Sequence, residues 1–376
     1  MEPRRRASGL ALFVLALAAF GAVAYTVLNI HERHEPIGPP GKLVGVNVHP
    51  LWQGVSDADA QRILDLTERS GANVVRVDVG WASMQPDGPG AFANDYARRA
   101  DAFIHAARGR GLRVIVTLLG TPCWASSAPE SLRQGCRGRW YDRGVPAYAP
   151  RDPADFAAFA GAVARRWAGD VDAIEVWNEP NQPFFWRAHD PAGEYARLLR
   201  AAYPAIKKAA PRVTVLGGAL AYADGAFLRE LYHRGHILGS YDAISIHPYT
   251  LGRQPSAPRQ HGAPRKLAFR SGTRWIRDTM RAAGDRHPEV WLTEVGASTC
   301  PEGEHAECVS EADQARYVTD SVAIARHWSF VKAIVVYSLL DDGADASKVV
   351  NRYGLASADG RPKPALAAFR RAAGAG

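Results

Sequence analysis

Along most of the chain, short runs of nearly continuous apolar residues alternate with longer runs in which apolar positions recur at helical spacing. The short runs fall at 43–48, 74–79, 113–119, 171–177, 214–216, 243–247, 289–294 and 333–339. The helical runs between them fall at 57–70, 95–110, 155–167, 192–208, 227–234, 270–283, 311–327 and 364–373. Strands that are apolar throughout, and not on alternate positions only, are expected of a parallel sheet covered on both faces. Eight strands, each followed by a helix, predict a single (β/α)8 barrel. The fifth strand is the weakest of the set. An open doubly wound sheet competes with this reading, but it would carry a Gly-rich phosphate loop after its first strand, and none follows 43–48. The longest irregular insert, 120–150, comes after strand three. In a barrel it projects from the face where the loops that follow the strands gather.

The N-terminus departs from this alternation. Arg4, Arg5 and Arg6 precede residues 7–30, a stretch with no formal charge. A secretory signal core is about 7–15 residues and a spanning helix about 20, so the length favours an uncleaved membrane anchor. Ala22-Val23-Ala24 nevertheless offers a small-x-small cleavage site. Either way the arginines stay inside and the remainder is exported. Residues 31–41, with Pro36, Pro39 and Pro40, read as a stiff linker, which leaves 42–376 as the folded domain.

Composition adds few constraints. The chain is 47% hydrophobic and 22% charged, a globular balance. Its net charge of +8 is scattered, with no basic stripe interleaved with aromatics, so nucleic-acid binding is not expected. Four cysteines in an exported chain suggest disulfides. Three pairings are possible. Cys123–Cys136 and Cys300–Cys308 are favoured because each closes one local loop, and neither pair has zinc-ligand spacing. No metal or cofactor is expected.

Two strands end in glutamates. Trp177-Asn178-Glu179-Pro180-Asn181 closes strand four, and Glu294 closes strand seven within Val290-Trp291-Leu292-Thr293-Glu294-Val295-Gly296. In a barrel these strands face each other across the mouth. Paired carboxyl groups suit sugar chemistry: about 5–5.5 Å apart in retaining glycosidases, about 6.5–9.5 Å apart in inverting ones. Arg76 lies in strand two with Trp81 just beyond it. His247-Pro248-Tyr249 closes strand six, and Tyr337 lies in strand eight. Each has a plainer reading: Arg76 as an ion pair with Asp78, His247 as a core histidine, Tyr249 as packing. Glu175, deeper in strand four, reads as structural. Trp124, Trp140, Trp186, Phe184 and Phe185 sit in loops where aromatics could stack on sugar rings.

Taken together, these motifs resemble clan A retaining glycoside hydrolases, most of all family 39, with families 5 and 42 as relatives. The resemblance runs from residue 43 to the C-terminus. It includes Gly-Val-Asn-Val-His at 45–49, Val-Val-Arg-Val-Asp at 74–78 and Tyr353-Gly354-Leu355. It implies Glu179 as acid/base, Glu294 as nucleophile and Asn178 as a ligand of the sugar 2-hydroxyl. Arg76 and Tyr249 would keep Glu294 ionised, and His247 would sit beside the acid/base. Trp81, Trp124 and Tyr337 would complete the sugar pocket. Many clan members carry Trp where Val336-Tyr337-Ser338 stands here. The expected activity is double-displacement hydrolysis of a β-linked polysaccharide or oligosaccharide of the cell envelope or its surroundings. A silent glycan-binding barrel and a transglycosylase using the same glutamates are the alternatives.

Overall fold

A computed structural model describes residues 41–374, apart from 91, 93, 302, 304, 344 and 346. The expected anchor at 7–30 and linker up to residue 40 lie outside the described residues. Among the described residues, no helix is long and apolar enough to cross a membrane.

Eight parallel strands close into a barrel in sequence order: β1 (Leu43–Val48), β2 (Val74–Gly80), β3 (Arg113–Leu119), β4 (Ala173–Val176), β5 (Thr214–Ala221), β6 (Ala243–His247), β7 (Val290–Val295) and β8 (Val331–Val336). Pairing of Leu43 with Ala333 shuts the ring between β1 and β8. One main helix follows each strand: α1 (Asp57–Ser70), α2 (Asp95–Gly109), α3 (Pro153–Arg166), α4 (Pro191–Ala209), α5 (Gly225–His233), α6 (Phe269–Ala282), α7 (Glu311–His327) and α8 (Pro364–Gly374). Side-chain caps set several helix starts. Ser56 accepts from the Asp59 N–H while Asp59 reaches back to Ser56, closing a capping box at α1.

Three strands differ from the sequence reading: β8 ends at Val336, so Tyr337 lies just past the strand and not in it, and the changes in β4 and β5 bear on the site. β4 stops at Val176 because Trp177 (φ 73°) and Glu179 (φ 45°) adopt left-handed backbone, which leaves the ladder. β5 runs five residues past its expected end, through Gly217-Gly218. Gly218 has φ 108°, and a Cβ there would stand 2.8 Å from the Ser245 carbonyl oxygen, so only glycine fits. The β5–β6 register slips at this point.

The barrel interior is layered. Val74, Ile115, Ala173, Ala243 and Trp291 share one apolar cluster. Strand alternation puts the residue two positions on at the same face, and these are Arg76, Thr117, Glu175, Ser245 and Thr293, each at most 1% exposed. A buried polar layer is tolerable only when its groups are paired. Arg76 pairs them: Nε donates to Glu175 Oε2 at 2.7 Å, Nη1 to Asn47 Oδ1 and Glu294 Oε1 at 2.8 Å each, and Nη2 to Asn178 Oδ1 at 2.8 Å. Thr117 and Thr293 hydroxyls donate to the two oxygens of Glu175, each at 2.8 Å. The core thus ends, toward the strand C-termini, in a fixed guanidinium.

Two disulfides tie loops above this layer. Cys123–Cys136 pins the 120–150 insert (Cα–Cα 5.6 Å) and Cys300–Cys308 the loop after β7 (Cα–Cα 5.0 Å). These are the local pairings.

Candidate active site

Glu179 is held by its backbone. Its N–H donates to the Ala219 carbonyl at 2.9 Å, just past the slip in β5. Asn181 caps the same strand, donating to the Ala221 carbonyl at 3.0 Å and accepting from the Ala221 N–H at 2.9 Å. The Tyr195 hydroxyl from α4 ties the two strand ends, donating to Val176 O at 2.8 Å and accepting from the Gly218 N–H at 2.7 Å. The left-handed turn at 177–179 thereby projects the carboxylate over the barrel, a sparsely populated conformation kept in place by its surroundings.

Glu294 reaches the same space where the β7–β8 register shifts, between Leu292 and Val295. A side-chain oxygen of Glu179, one of Glu294 and a ring nitrogen of His247 all lie within 4.8 Å of one another. Those atoms are engaged already. His247 Nδ1 is 2.8 Å from Glu179 Oε1 and 3.6 Å from Glu294 Oε2. Arg76 holds Glu294 Oε1, and the Tyr249 hydroxyl donates to Oε2 at 2.9 Å. A cation at this trio would displace those donors and sit beside a guanidinium.

The electrostatics follow from burial and pairing. Burial is the largest influence on Glu294 and raises its pKa; His247 and Arg76 pull it back, while Glu179 raises it further, and the net direction is up. Burial lowers His247, but the charge of Glu294 and the bond to Glu179 outweigh it, so the imidazole rises. Burial, then the charge of Glu294, drives Tyr249 well above the ordinary phenol, so it remains a proton donor. With Arg76 occupying Asn178 Oδ1, the amide is oriented and its nitrogen turns the other way.

The expected pocket residues divide. Arg76, Asn178, Tyr249 and Glu294 form one hydrogen-bonded set, and the His247–Glu179 pair meets it where His247 Nδ1 lies 3.6 Å from Glu294. Both readings of Arg76 hold in part: Asp78 is 3.6 Å away, but the shorter bonds go to Glu175 and Glu294. Tyr337 reaches the pocket edge and donates to Asp342 Oδ2 at 2.7 Å. Trp81 does not reach it. That ring is fully buried among Phe156, Phe159 and Trp124, with Nε1 bonded to Gln85; an apolar residue opening a helical turn after β2 turns outward into the helix layer. Trp124 is half-buried against Trp81 and donates to Gln85 O at 2.8 Å. Trp186 is core, whereas Phe184 is exposed and packs edge-on against Phe185.

Three neighbours had no assigned role in the sequence. His49 ends the Gly-Val-Asn-Val-His run and stacks on Trp52 at 3.9 Å between centroids. Asp342 lies 3.6 Å from His49 Nε2. Tyr353 packs edge-on against both Tyr249 and Tyr337.

Comparison with known proteins decides the family. The profile of the cellulase family, glycosyl hydrolase family 5, matches residues 30–330, most of the chain and both glutamates. The chain belongs to that family. It is a glycoside hydrolase of clan A, and its solved relatives in fold include family 39 enzymes, the family placed first on sequence motifs. A family 39 glycoside hydrolase from Bacteroides cellulosilyticus WH2 superposes with TM-score 0.69 at 22% identity, over 88% of this chain and 63% of that one. The GH39 enzyme from Xanthomonas axonopodis pv. citri gives TM-score 0.64 at 20% identity, over 89% and 67%. A monomeric beta-xylosidase from Caulobacter crescentus CB15 gives 0.61 at 18%, over 90% and 68%. The chain therefore spans under two thirds of the first of these. A 62-residue stretch is 36% identical to the "uncharacterized protein in bgaB 5'region" of Niallia circulans, covering 16% of this chain and 17% of that one.

Proposed function

We propose that this glycoside hydrolase acts with retention of anomeric configuration on a β-linked glycan, with Glu179 as acid/base and Glu294 as nucleophile. The observation that carries the reading is the separation of the two carboxylates, with oxygens within 4.8 Å. So short an approach is nearer the spacing of about 5–5.5 Å used for direct attack on the anomeric carbon than the spacing of about 6.5–9.5 Å in inverting enzymes. Glu294 receives the Arg76 and Tyr249 donors, which favour its anionic form and fit it for the nucleophile's role.

In the first step Glu294 attacks the anomeric carbon as Glu179 delivers its proton to the departing oxygen. Glu179, now ionised, takes a proton from water, which attacks the glycosyl ester and releases Glu294. The Asn178 amide nitrogen donates to the sugar 2-hydroxyl, and His247 restrains the Glu179 carboxylate. A hydrolysis screen of residues 42–376 on β-linked polysaccharides and aryl glycosides, with Glu294→Gln alongside, tests the assignment. Activity that survives in the variant sinks it.

Tyr249→Phe isolates one support of this scheme. Losing the hydroxyl removes a donor that favours the ionised form of Glu294, so the nucleophile's pKa rises further. The acid limb of kcat/KM moves to higher pH and kcat falls by about 10–100-fold, as for one charge-assisted bond. An unshifted acid limb contradicts the role.

We also read residues 1–30 as the export segment, 31–41 as linker and 42–376 as an extracytoplasmic catalytic domain. Two formed disulfides support an oxidising compartment. Protease accessibility on intact cells tests this placement.

A further inference from the structure

Beyond the reaction centre, the ends of β8, β1 and β2 bring together polar atoms that have no hydrogen-bond partner among the described residues. Neither ring nitrogen of His49 has a hydrogen-bond partner among the described residues, nor has Asp78 Oδ1, and all three atoms are buried. The side chains of His49 and Asp342 are 10% and 9% exposed. Buried polar atoms without partners are rare in folded proteins and call for a ligand or ordered water. The groups belong to one constellation. Asp78 is 3.6 Å from Arg76 and His49 Nε2 is 3.6 Å from Asp342, which accepts from Tyr337. A cavity of about 730 Å³ reaches His49, Trp52 and Asp342 from the α1 side.

Two carboxylates, Asp78 and Asp342, line this corner. Arg76 is already shared by Glu175 and Glu294. Burial pushes His49 down to about 4, against Asp78 and with Arg76, so it is uncharged near neutrality. Burial above all pushes Asp342 up to about 7; the Tyr337 bond lowers it, and the neighbouring Asp341, Glu294 and Asp78 add to the rise.

The departing group lies on the Glu179 side, so the retained ring lies over Glu294, toward β8, β1 and β2. We infer that His49, Asp78, Asp342 and Tyr337 form a glycone subsite that accepts sugars presenting only hydrogen-bond donors, hydroxyl or ammonium, and refuses sugars bearing a carboxylate. The inference rests on the glycosidase reading for its orientation. Asp78 Oδ1 and the Asp342 carboxylate accept from the ring substituents, and His49 supplies one donor and one acceptor nitrogen. A uronate would bring a second carboxylate against them, a like-charge contact in a poorly hydrated corner.

The test is equilibrium binding to the wild-type catalytic domain of methyl β-glycosides of gluco and galacto configuration. Each is used in neutral, 2-amino and uronate form, with binding followed by ligand-observed NMR titration. In whichever configuration binds, the uronate is expected to bind about tenfold or more weakly than the neutral sugar, and the amine at least as tightly. That gap narrows in Asp78→Asn and Asp342→Asn, whose unfolding transitions are checked in parallel; the wild-type order needs no variant. A uronate bound as tightly as the neutral sugar, a gap unchanged in both variants, or no binding of any probe overturns the subsite. Its failure is separable from failure of the reaction. Hydrolysis with the order reversed removes the subsite alone, while the expected order without hydrolysis in the screen above removes the reaction alone.

Discussion

Glu294→Gln abolishes turnover, with a loss of roughly 10⁴-fold or more, the scale reached when a covalent nucleophile is removed. The amide keeps the shape of the carboxylate and its oxygen can still accept from Arg76, with its NH2 turned to the Tyr249 oxygen, so the pocket is largely preserved while the attacking carboxylate is lost. Glu179→Gln behaves differently. Its loss, about 10²–10⁴-fold, depends on how much the leaving group needs a proton. Aryl glycosides with acidic phenols lose little in the first step, and a small anion such as azide restores the second by attacking the glycosyl ester without a base. Comparing kcat for activated and unactivated substrates in the two variants separates the roles. Azide rescue of Glu294→Gln with retained product would exchange the assignments.

Arg76→Met is expected to cost about 3–5 kcal/mol of stability, the effect of leaving a buried charge without its partner. The uncompensated group is Glu175, fully buried and bonded to Thr117 and Thr293. Burial is the largest influence on Glu175 and raises it. Arg76, His247, Ser245 and Thr117 together outweigh that and hold it below the ordinary carboxylate range. A carboxyl whose pKa is depressed on folding stabilises the protein above its unfolded pKa. That contribution fades as pH falls through the folded value. The wild type therefore loses this part of its stability on acidification, whereas Arg76→Met has already lost it at neutral pH. Denaturant midpoints at neutral and acid pH measure both, and Arg76→Met with Glu175→Leu should recover part of the loss by removing the stranded charge. A midpoint for Arg76→Met equal to wild type would mean that the buried network is not what fixes Glu294.

Much of this was legible in the sequence because it lay in periodic or local patterns. The apolar runs marked the barrel strands, and their ends delivered Glu179 and Glu294 to one mouth. Cysteines close in sequence paired locally. The weak fifth strand continued through Gly217-Gly218, whose missing side chains hide a strand from any apolar count but permit the turn that seats Glu179. Trp81 misled for the opposite reason: an aromatic one residue past a strand end looks pocket-facing, yet the helical turn it opens rotates it into the core. His49, Asp342 and Trp52 had no legible role, since each is a single residue at the start of a loop. Only the closed ring, which puts β8 beside β1, makes His49 and Asp342 neighbours.

The central claim is retention through a glycosyl ester on Glu294, and the anomer first released decides it. Proton NMR during hydrolysis of a β-linked substrate, read before mutarotation, is predicted to show the β-anomer appearing first and the α-anomer growing in later. Initial release of the α-anomer would mean a water attacking between Glu179 and Glu294, and would contradict the account.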